Sequence, residues 1–501
     1  MRKGSITLYL CLILGVLLSL ICAGLFSARR AAGRVVLASA AEQGMYSLFS
    51  EYDRTLFDEF GILAIDGGYN NPGLKLGALQ DEAEEVVKFL TGSSGEIAGP
   101  SNLTKLSVER GEVTGYTLLT DGNGALFREQ LLKALAGKKT VSAIRQVRDR
   151  LNSQSAIWKQ LESYGADIDA NETEQQYSDL QKPVETDGET MVFRSWSGDK
   201  TASAVLCDEE NRPEMLPAAG ENPIELIRGL KKLGIINLVL PKGRTVSQGR
   251  IEDDRVSRRS LQQGMGIIPE VRSSLGDKVL LTEFLVDSFS DFTNAGELET
   301  AGLQYQVEYA IGKRSTDAEN LKYVLNRLLA IREISNYLYL MKDSGKREEI
   351  NAAAAGISAL IGLPMAEPVV AEMLRFCWAF GESVLDLREL LKGGKIPLLK
   401  DASSWQLSLN MLAHIQEELS EEHSSEKGLD YKWYLRMLLA TENDDTLTRM
   451  LMDLTEHKVR TADGREGFRL DNCLVSMKIR FRAKQDAFFP MEAERSYNYV
   501  Q

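Results

Sequence analysis

The densest run of ligand-type side chains is His414-Ile415-Gln416-Glu417-Glu418-Leu419-Ser420-Glu421-Glu422-His423. On a helix, His414, Glu418 and either Glu421 or Glu422 share one face, a donor set that suits a divalent cation. The run lacks the His-Glu-x-x-His order of zinc peptidases, and acidic helical faces are ordinarily just solvated. Asp167-Ile168-Asp169-Ala170-Asn171 opens like a calcium loop. Such a loop needs Gly at its sixth position and Glu at its twelfth, where Glu172 and Ser178 stand. Ser197-Gly198-Asp199-Lys200 and Ser424-Ser425-Glu426-Lys427 put a lysine one turn from a serine, the spacing of a lysine-activated nucleophile. Neither stands in a strand-turn-helix context. Gly137-Lys138-Lys139-Thr140 ends like a phosphate loop but has Leu132 where the first Gly belongs. No catalytic, cofactor-binding or metal-ligating residue is assigned on this basis, and the chain is expected to be neither an enzyme nor cofactor-dependent.

Charge and composition narrow the classes further. Lys plus Arg sum to 59 against 72 for Asp plus Glu, a formal charge of −13. Phosphate neutralisation needs a clustered cationic excess, so nucleic acid is not an expected partner. Three His leave little material for imidazole chemistry. Cys11 and Cys22 fall in an apolar run, and Cys207, Cys377 and Cys473 are spaced as neither a disulfide framework nor a metal knuckle. Buried or unreactive thiols are the expectation there. The aromatic runs Trp378-Ala379-Phe380-Gly381-Glu382 and Tyr431-Lys432-Trp433-Tyr434-Leu435 read as helix core rather than as binding platforms.

The elements that would position any site start with the amino-terminal run. Ile6 to Phe26 carries no charge, and at about 1.5 Å per residue it spans about 31 Å, the thickness of a bilayer's hydrocarbon core. Ile6, Leu10, Leu14, Leu17, Leu20 and Phe26 are taken as its membrane or partner-helix positions. Arg2 and Lys3 precede it and Arg29, Arg30 and Arg34 follow, so the basic count alone does not orient it. The run exceeds the apolar region of about 7–15 residues in a cleaved signal peptide, which favours an uncleaved anchor. No proline interrupts Ala28 to Phe60, and Met45, Leu48, Phe49, Tyr52, Leu56 and Phe60 recur at helical spacing. One helix is therefore expected to run from the membrane outward to about Phe60.

Beyond it the pattern predicts an α+β, mainly helical fold with a small antiparallel sheet. Residues 1–5 form a short basic tail, 6–26 the transmembrane helix, 27–65 a stem helix and 66–164 the first part of the head. Residues 165–222, rich in Asp, Glu, Gln, Asn and Thr, read as a polar insertion or linker. Residues 223–501 form a mainly helical second part. Strands are expected over 103–120, with a turn at Arg110-Gly111, over 303–311 and over 474–482. Because these strands come from distant parts of the chain, the two parts of the head are compatible with one domain.

Lys3-Gly4-Ser5-Ile6-Thr7-Leu8-Tyr9-Leu10, the Glu51-Tyr52 to Phe60-Gly61-Ile62 stretch, Val307-Glu308-Tyr309-Ala310-Ile311-Gly312-Lys313, Asn326-Arg327-Leu328-Leu329-Ala330-Ile331-Arg332, Trp378 to Ser383 and Tyr434-Leu435-Arg436-Met437-Leu438-Leu439 resemble domain-of-unknown-function family 5702 of Gram-positive anaerobes. The amino-terminal segment is similar to TadE- and TadG-type minor pilins of tight-adherence pilus systems. In that resemblance Arg2-Lys3-Gly4 is the leader, and the boundary falls between Gly4 and Ser5. The fifth mature position is then Tyr9, where such pilins carry Glu. The resemblance implies a surface or secretion role and brings no catalytic residue with it.

The leading expectation is a single-pass protein of the cell membrane with an extracellular head. It would serve as a structural or assembly component whose partners are the lipid bilayer and, through the N-terminal helix, pilus or secretion-system subunits. A membrane-anchored envelope hydrolase, with its pocket near His414, Glu418 and His423, and an adhesive or sensing ectodomain are the alternatives.

Overall fold

The absence of charge and proline between Ile6 and Phe26 lets the helix begun at Lys3 continue unbroken to Phe49. This helix, α1, appears in a computed structural model that describes residues 3–94, 101–137, 141–166, 168, 170–180, 191–193, 203–205, 223–266, 275–295, 302–360, 364–414, 428–462 and 464–499. The chain divides into two compact units. The first comprises Met1–Thr140, Glu252–Ser274 and Asp444–Gln501, and the second Val141–Ile251 and Leu275–Asn443.

In the first unit α1 is followed by α2 (Arg54–Phe60), β1 (Ile65–Asp66), α3 (Leu76–Leu90), β2 (Leu106–Leu118) and α4 (Asp121–Ala136). The helix Asp444–Ala462 and two long strands, which pair as a hairpin, complete it. The short strands Met191–Phe193 and Ser203–Val205 belong to the second unit and are β3 and β4, so the C-terminal pair is β5 (Cys473–Gln485) and β6 (Phe489–Asn498). β5 is the centre of a four-stranded antiparallel sheet, bonded to β2, β6 and β1. Its alternation puts Met477, Ile479, Phe481 and Ala483 on one buried face. Leu37, Ala40, Ala41, Met45, Leu48 and Phe49 of α1 join that face in one core cluster. Fully burying a large apolar side chain contributes about 1.5–3 kcal/mol, so Leu37, Met45, Leu48 and Phe49 are the main anchors of α1 on the sheet. Gly44 admits α3 to within contact of α1: a Cβ there would lie 2.8 Å from Val87 Cγ2 and 3.1 Å from the Ala83 carbonyl oxygen.

Three expectations about this unit change. The stem is not one helix to Phe60. The Phe49 carbonyl is taken by the Tyr499 hydroxyl, and Asp53 starts a new helix by accepting Leu56 N at 2.9 Å while its own N–H bonds Ala64 O at 2.8 Å. Arg110-Gly111 is not a turn: β2 runs through it, with a register shift between Val108 and Arg110 that leaves Gly111 N to be met by Glu84 of α3 at 2.9 Å. The third sheet segment is β6, not residues 303–311.

Leu303 to Ile311 lies in the second unit, and Gln306–Gly312 is helical. Its alternating Leu303, Tyr305, Val307, Tyr309 and Ile311 are buried, but so are Glu308 and Ala310 between them. A segment buried on every side carries no usable periodicity, and Asp317 accepting Gln304 N and Tyr305 N at 2.9 and 2.8 Å decides its local conformation. The helices expected over 319–342, 346–361 and 366–391 are present as Asp317–Lys342, Ser344–Leu360 and Glu367–Leu391, and the one expected over 430–458 is two, Tyr431–Thr441 and Asp444–Ala462. Of the helix expected over 405–422, the described residues form a loop and the 3-10 turn Asn410–His414 instead. The polar stretch after 165 contains the helix Ala170–Leu180. Trp378, Tyr431 and Tyr434 are core residues as expected, whereas Trp433 is only half-buried, with the Arg150 and Arg436 guanidinium groups 4.0 and 5.3 Å from its ring centre.

At the centre of the second unit is a buried ionic cluster. Arg332 Nη2 lies 2.8 Å from Asp386 Oδ2, and Lys400 Nζ lies 2.7 Å from Asp386 Oδ1 and 2.5 Å from Glu382 Oε1, with all four side chains fully buried. Burial opposes the Asp386 carboxylate, but Arg332 and Lys400 hold it below the usual range. Burial leaves Glu382 raised.

Candidate functional site

α1 has two halves with opposite surroundings. Leu10, Leu14, Leu17, Leu20 and Phe26 are all exposed, and none of the apolar stretch is buried within the protein. α1 is the one helix among the described residues long and apolar enough to cross a membrane. Ile6 is in the helix by its backbone, and Gly4 and Ser5 lie in its first turn. From Leu37 onward the helix is seated on the sheet. Its end is gripped by aromatics: Phe49 stacks on Tyr497 at 4.5 Å and meets Tyr499 edge-on at 5.2 Å, and Tyr46 meets Tyr497 at 5.5 Å.

Beside the end of α1 in the same unit lies a cleft of about 390 Å³, lined in part by Glu51, Asp53, Asp66, Tyr69, Glu82 and Arg465. Asp66 accepts Gly68 N at 3.0 Å and Asn70 N at 2.8 Å, which folds the Asp-Gly-Gly turn around its carboxylate. Arg465 ties that carboxylate to Asp53, at 3.0 and 2.5 Å. The Tyr69 hydroxyl donates to Glu82 Oε2 at 2.8 Å. Burial, then the neighbouring Glu82 carboxylate, raises Glu51, and burial followed by Glu82 raises the Tyr69 phenol. This is an acidic cleft, and the cation on its wall, Arg465, is bound to two carboxylates. Among the described residues no group of three or more His, Cys, Asp or Glu is placed to hold a metal ion. In the second unit a cleft of about 300 Å³ is bordered by Tyr339 and Trp405, stacked at 5.1 Å, and by Lys346 and Glu349, paired at 3.5 Å.

Of the residues that could do chemistry by sequence, Glu418, His423 and both Ser-x-x-Lys runs lie outside the described residues, as do Asp167, Asp169 and the side chain of His414. Asn171, Glu172 and Ser178 are on one helix, Ala170–Leu180. Cys377 and Cys473 are buried, and burial pushes the Cys473 thiol well up; Cys11 and Cys22 are exposed on α1, and Cys207 is outside the described residues. Sequence reasoning did not find the acidic cleft, because Glu51 and Arg465 are brought together only by the return of the chain's last segment, and no local motif marks either.

A family model matches residues 214–485. The chain belongs to DUF5702, a family of unknown function. The DUF5702 match takes in the Gln306–Gly312, Asp317–Lys342, Glu367–Leu391 and Tyr431–Thr441 helices, the buried ionic cluster and β5. Four of the six stretches that carry the resemblance, 307–313, 326–332, 378–383 and 434–439, fall inside it. Residues 3–10 and 51–62 lie outside it. No curated protein and no solved structure matches this DUF5702 chain.

Proposed function

We propose that this DUF5702 protein is a membrane-anchored, extracytoplasmic structural or assembly component whose N-terminal helix works like that of a minor pseudopilin in a tight-adherence pilus or secretion system. One observation carries the reading: α1 is a single helix whose apolar first half is entirely exposed and whose second half is buried on an antiparallel sheet. A simple anchor needs only the first half. Continuity without a linker fixes the sheet relative to the apolar half, which is what a subunit that packs helix to helix requires. The similarity of Arg2-Lys3-Gly4-Ser5 to a prepilin leader supports the same reading, while Tyr9 in the place of Glu favours a chain that keeps its leader.

Photocrosslinking in the native host from Leu14 and Leu17 tests it. The expected result is a small set of discrete protein adducts that includes pilus or secretion-system subunits. Adducts to lipid alone would leave an anchor and remove the assembly role. N-terminal mass spectrometry is expected to find the residues before Ser5 retained.

A further inference from the structure

Where the apolar half of α1 ends, two loops of the first unit gather around the helix. Phe489, the first residue of β6, meets Phe26 edge-on at 5.2 Å, and the Arg30 guanidinium lies 5.2 Å over the same Phe489 ring. Arg29 Nη1 is 3.4 Å from Asp486 Oδ1. Gln485, buried at the end of β5, donates its Nε2 to the Arg29 carbonyl at 3.1 Å and to the Thr104 carbonyl at 2.9 Å. Gly33 makes that approach feasible, since a Cβ there would stand 2.9 Å from the same amide nitrogen. Asp486 N bonds the Lys105 carbonyl at 3.1 Å, which joins the 101–105 loop to the β5–β6 turn. Asp486 and Ala487 both take left-handed backbone, with φ of 51° and 67°, so the turn is made tightly and without glycine.

The tips of these two loops carry the most exposed large apolar side chains among the described residues: Leu103 and Phe488, each 83% exposed. Two apolar tips beside a collar of cations is an odd surface to offer to water. Phe26 to Arg30 is about 6 Å along the helix, and the headgroup layer on each side of a bilayer is about 5–8 Å deep. Aromatic residues favour that layer, and arginines reach its phosphates while their stems stay in apolar surroundings.

Resting on the reading that Ile6–Phe26 crosses a bilayer, we infer that Leu103 and Phe488 insert into the headgroup layer of the same membrane, and that Arg30, Arg34 and Lys105 hold anionic headgroups there. Arg29 is committed to Asp486, whereas Arg34 and Lys105 are exposed. The interface is continuous with the transmembrane helix through the Phe26–Phe489 contact. The first unit is thereby set on the membrane at two further points, and α1 does not pivot at its exit.

Full-length protein with Cys11→Ser, Cys22→Ser and Cys207→Ser, reconstituted in phosphatidylcholine vesicles with and without phosphatidylglycerol, tests this by nitroxide labels at Phe488→Cys and Leu103→Cys. Leu14→Cys is the reference for lipid. Gly73→Cys, where a Cβ meets nothing within 4 Å, is the reference for water. The readout is relaxation by oxygen over relaxation by a water-soluble nickel chelate. At both tips this ratio should exceed that at Gly73→Cys several-fold in anionic vesicles, and fall in pure phosphatidylcholine or with Arg30→Gln, Arg34→Gln and Lys105→Gln combined. Water-like tips with a lipid-like Leu14→Cys overturn the inference and leave the span standing. A water-like Leu14→Cys overturns the span and the inference with it. A tip ratio that ignores lipid charge removes the role given to the cations.

Discussion

Lys400→Met takes away the cation bonded to Glu382 and shared with Asp386. In the native cluster Lys400 and Arg332 balance Glu382 and Asp386, and no member reaches water. Without Lys400 one net negative charge stays buried, with Glu382 left to accept Gln406 N at 3.0 Å and Leu407 N at 2.7 Å. Breaking a buried ion pair by removing one partner costs about 3–5 kcal/mol. The variant escapes part of that cost by protonating Glu382, worth about 1.4 kcal/mol for each pH unit below the folded pKa. Burial already raises that pKa above its unfolded value. The sign follows: the folded variant binds a proton that the unfolded chain releases, so its stability is retained at low pH and lost as pH rises through the folded pKa. The deficit relative to the parent is therefore smaller at acidic pH and grows as pH rises through the folded Glu382 pKa. Urea unfolding of the full-length protein in detergent, followed by tryptophan fluorescence, measures it; Trp378 and Trp405 both donate to the Leu407 carbonyl, next to the Glu382 acceptor sites. Adding Glu382→Gln to Lys400→Met should restore most of the loss. A Lys400→Met deficit under about 1 kcal/mol, or one that does not change with pH, would show that the cluster is not held by charge balance.

Glu308 gives a second pH test: burial, then Asp291, raises it to about 8, so native stability should fall between about pH 5 and pH 8 with a slope of at most about 1.4 kcal/mol per unit from this group. Glu308→Gln, which can still accept Phe292 N and the Tyr431 hydroxyl at Oε1, should flatten that slope in the same unfolding assay. Gly44→Val drives a branched side chain into Val87 and the Ala83 carbonyl, and should cost about 1–3 kcal/mol and speed amide exchange across α3. Arg465→Ala frees the Asp53 and Asp66 carboxylates on the cleft wall; since Arg465 is partly exposed, the expected cost is about 1–3 kcal/mol, seen as lower protection of α2 and of the turn after Asp66.

α1 is legible in the sequence because charge, apolar length and helical spacing agree over residues 6–49, and because nothing in that stretch competes with helix. β5 is legible for the same reason in the other period: Met477, Ile479 and Phe481 face the core while Lys478, Arg480 and Arg482 do not. The Gln306–Gly312 helix is misread because burial on all sides erases the period. The break after Phe49 is invisible because Asp53 becomes a helix cap only where Ala64 O receives its N–H. β6 is hidden in the sequence because Pro490, its second residue, argues against a strand, and its place beside β5 is set by the turn at Asp486-Ala487. The acidic cleft and the meeting of the 101–105 loop with the Asp486-Ala487 turn are juxtapositions of distant segments, and local pattern does not encode those.

The pairing of β2 with β5 begins with Leu106 opposite Gln485. During synthesis α1 emerges long before β5 and β6, the strands on which its second half is seated. Until β5 and β6 arrive, Leu37, Met45, Leu48 and Phe49 have no β5 or β6 surface to cover them. Such late, long-range pairing is slow and leaves apolar surface open to capture by other chains. Truncation before Cys473 should leave that face of α1 uncovered, and a pulse-chase comparison with the full chain should show faster proteolysis of the truncated one.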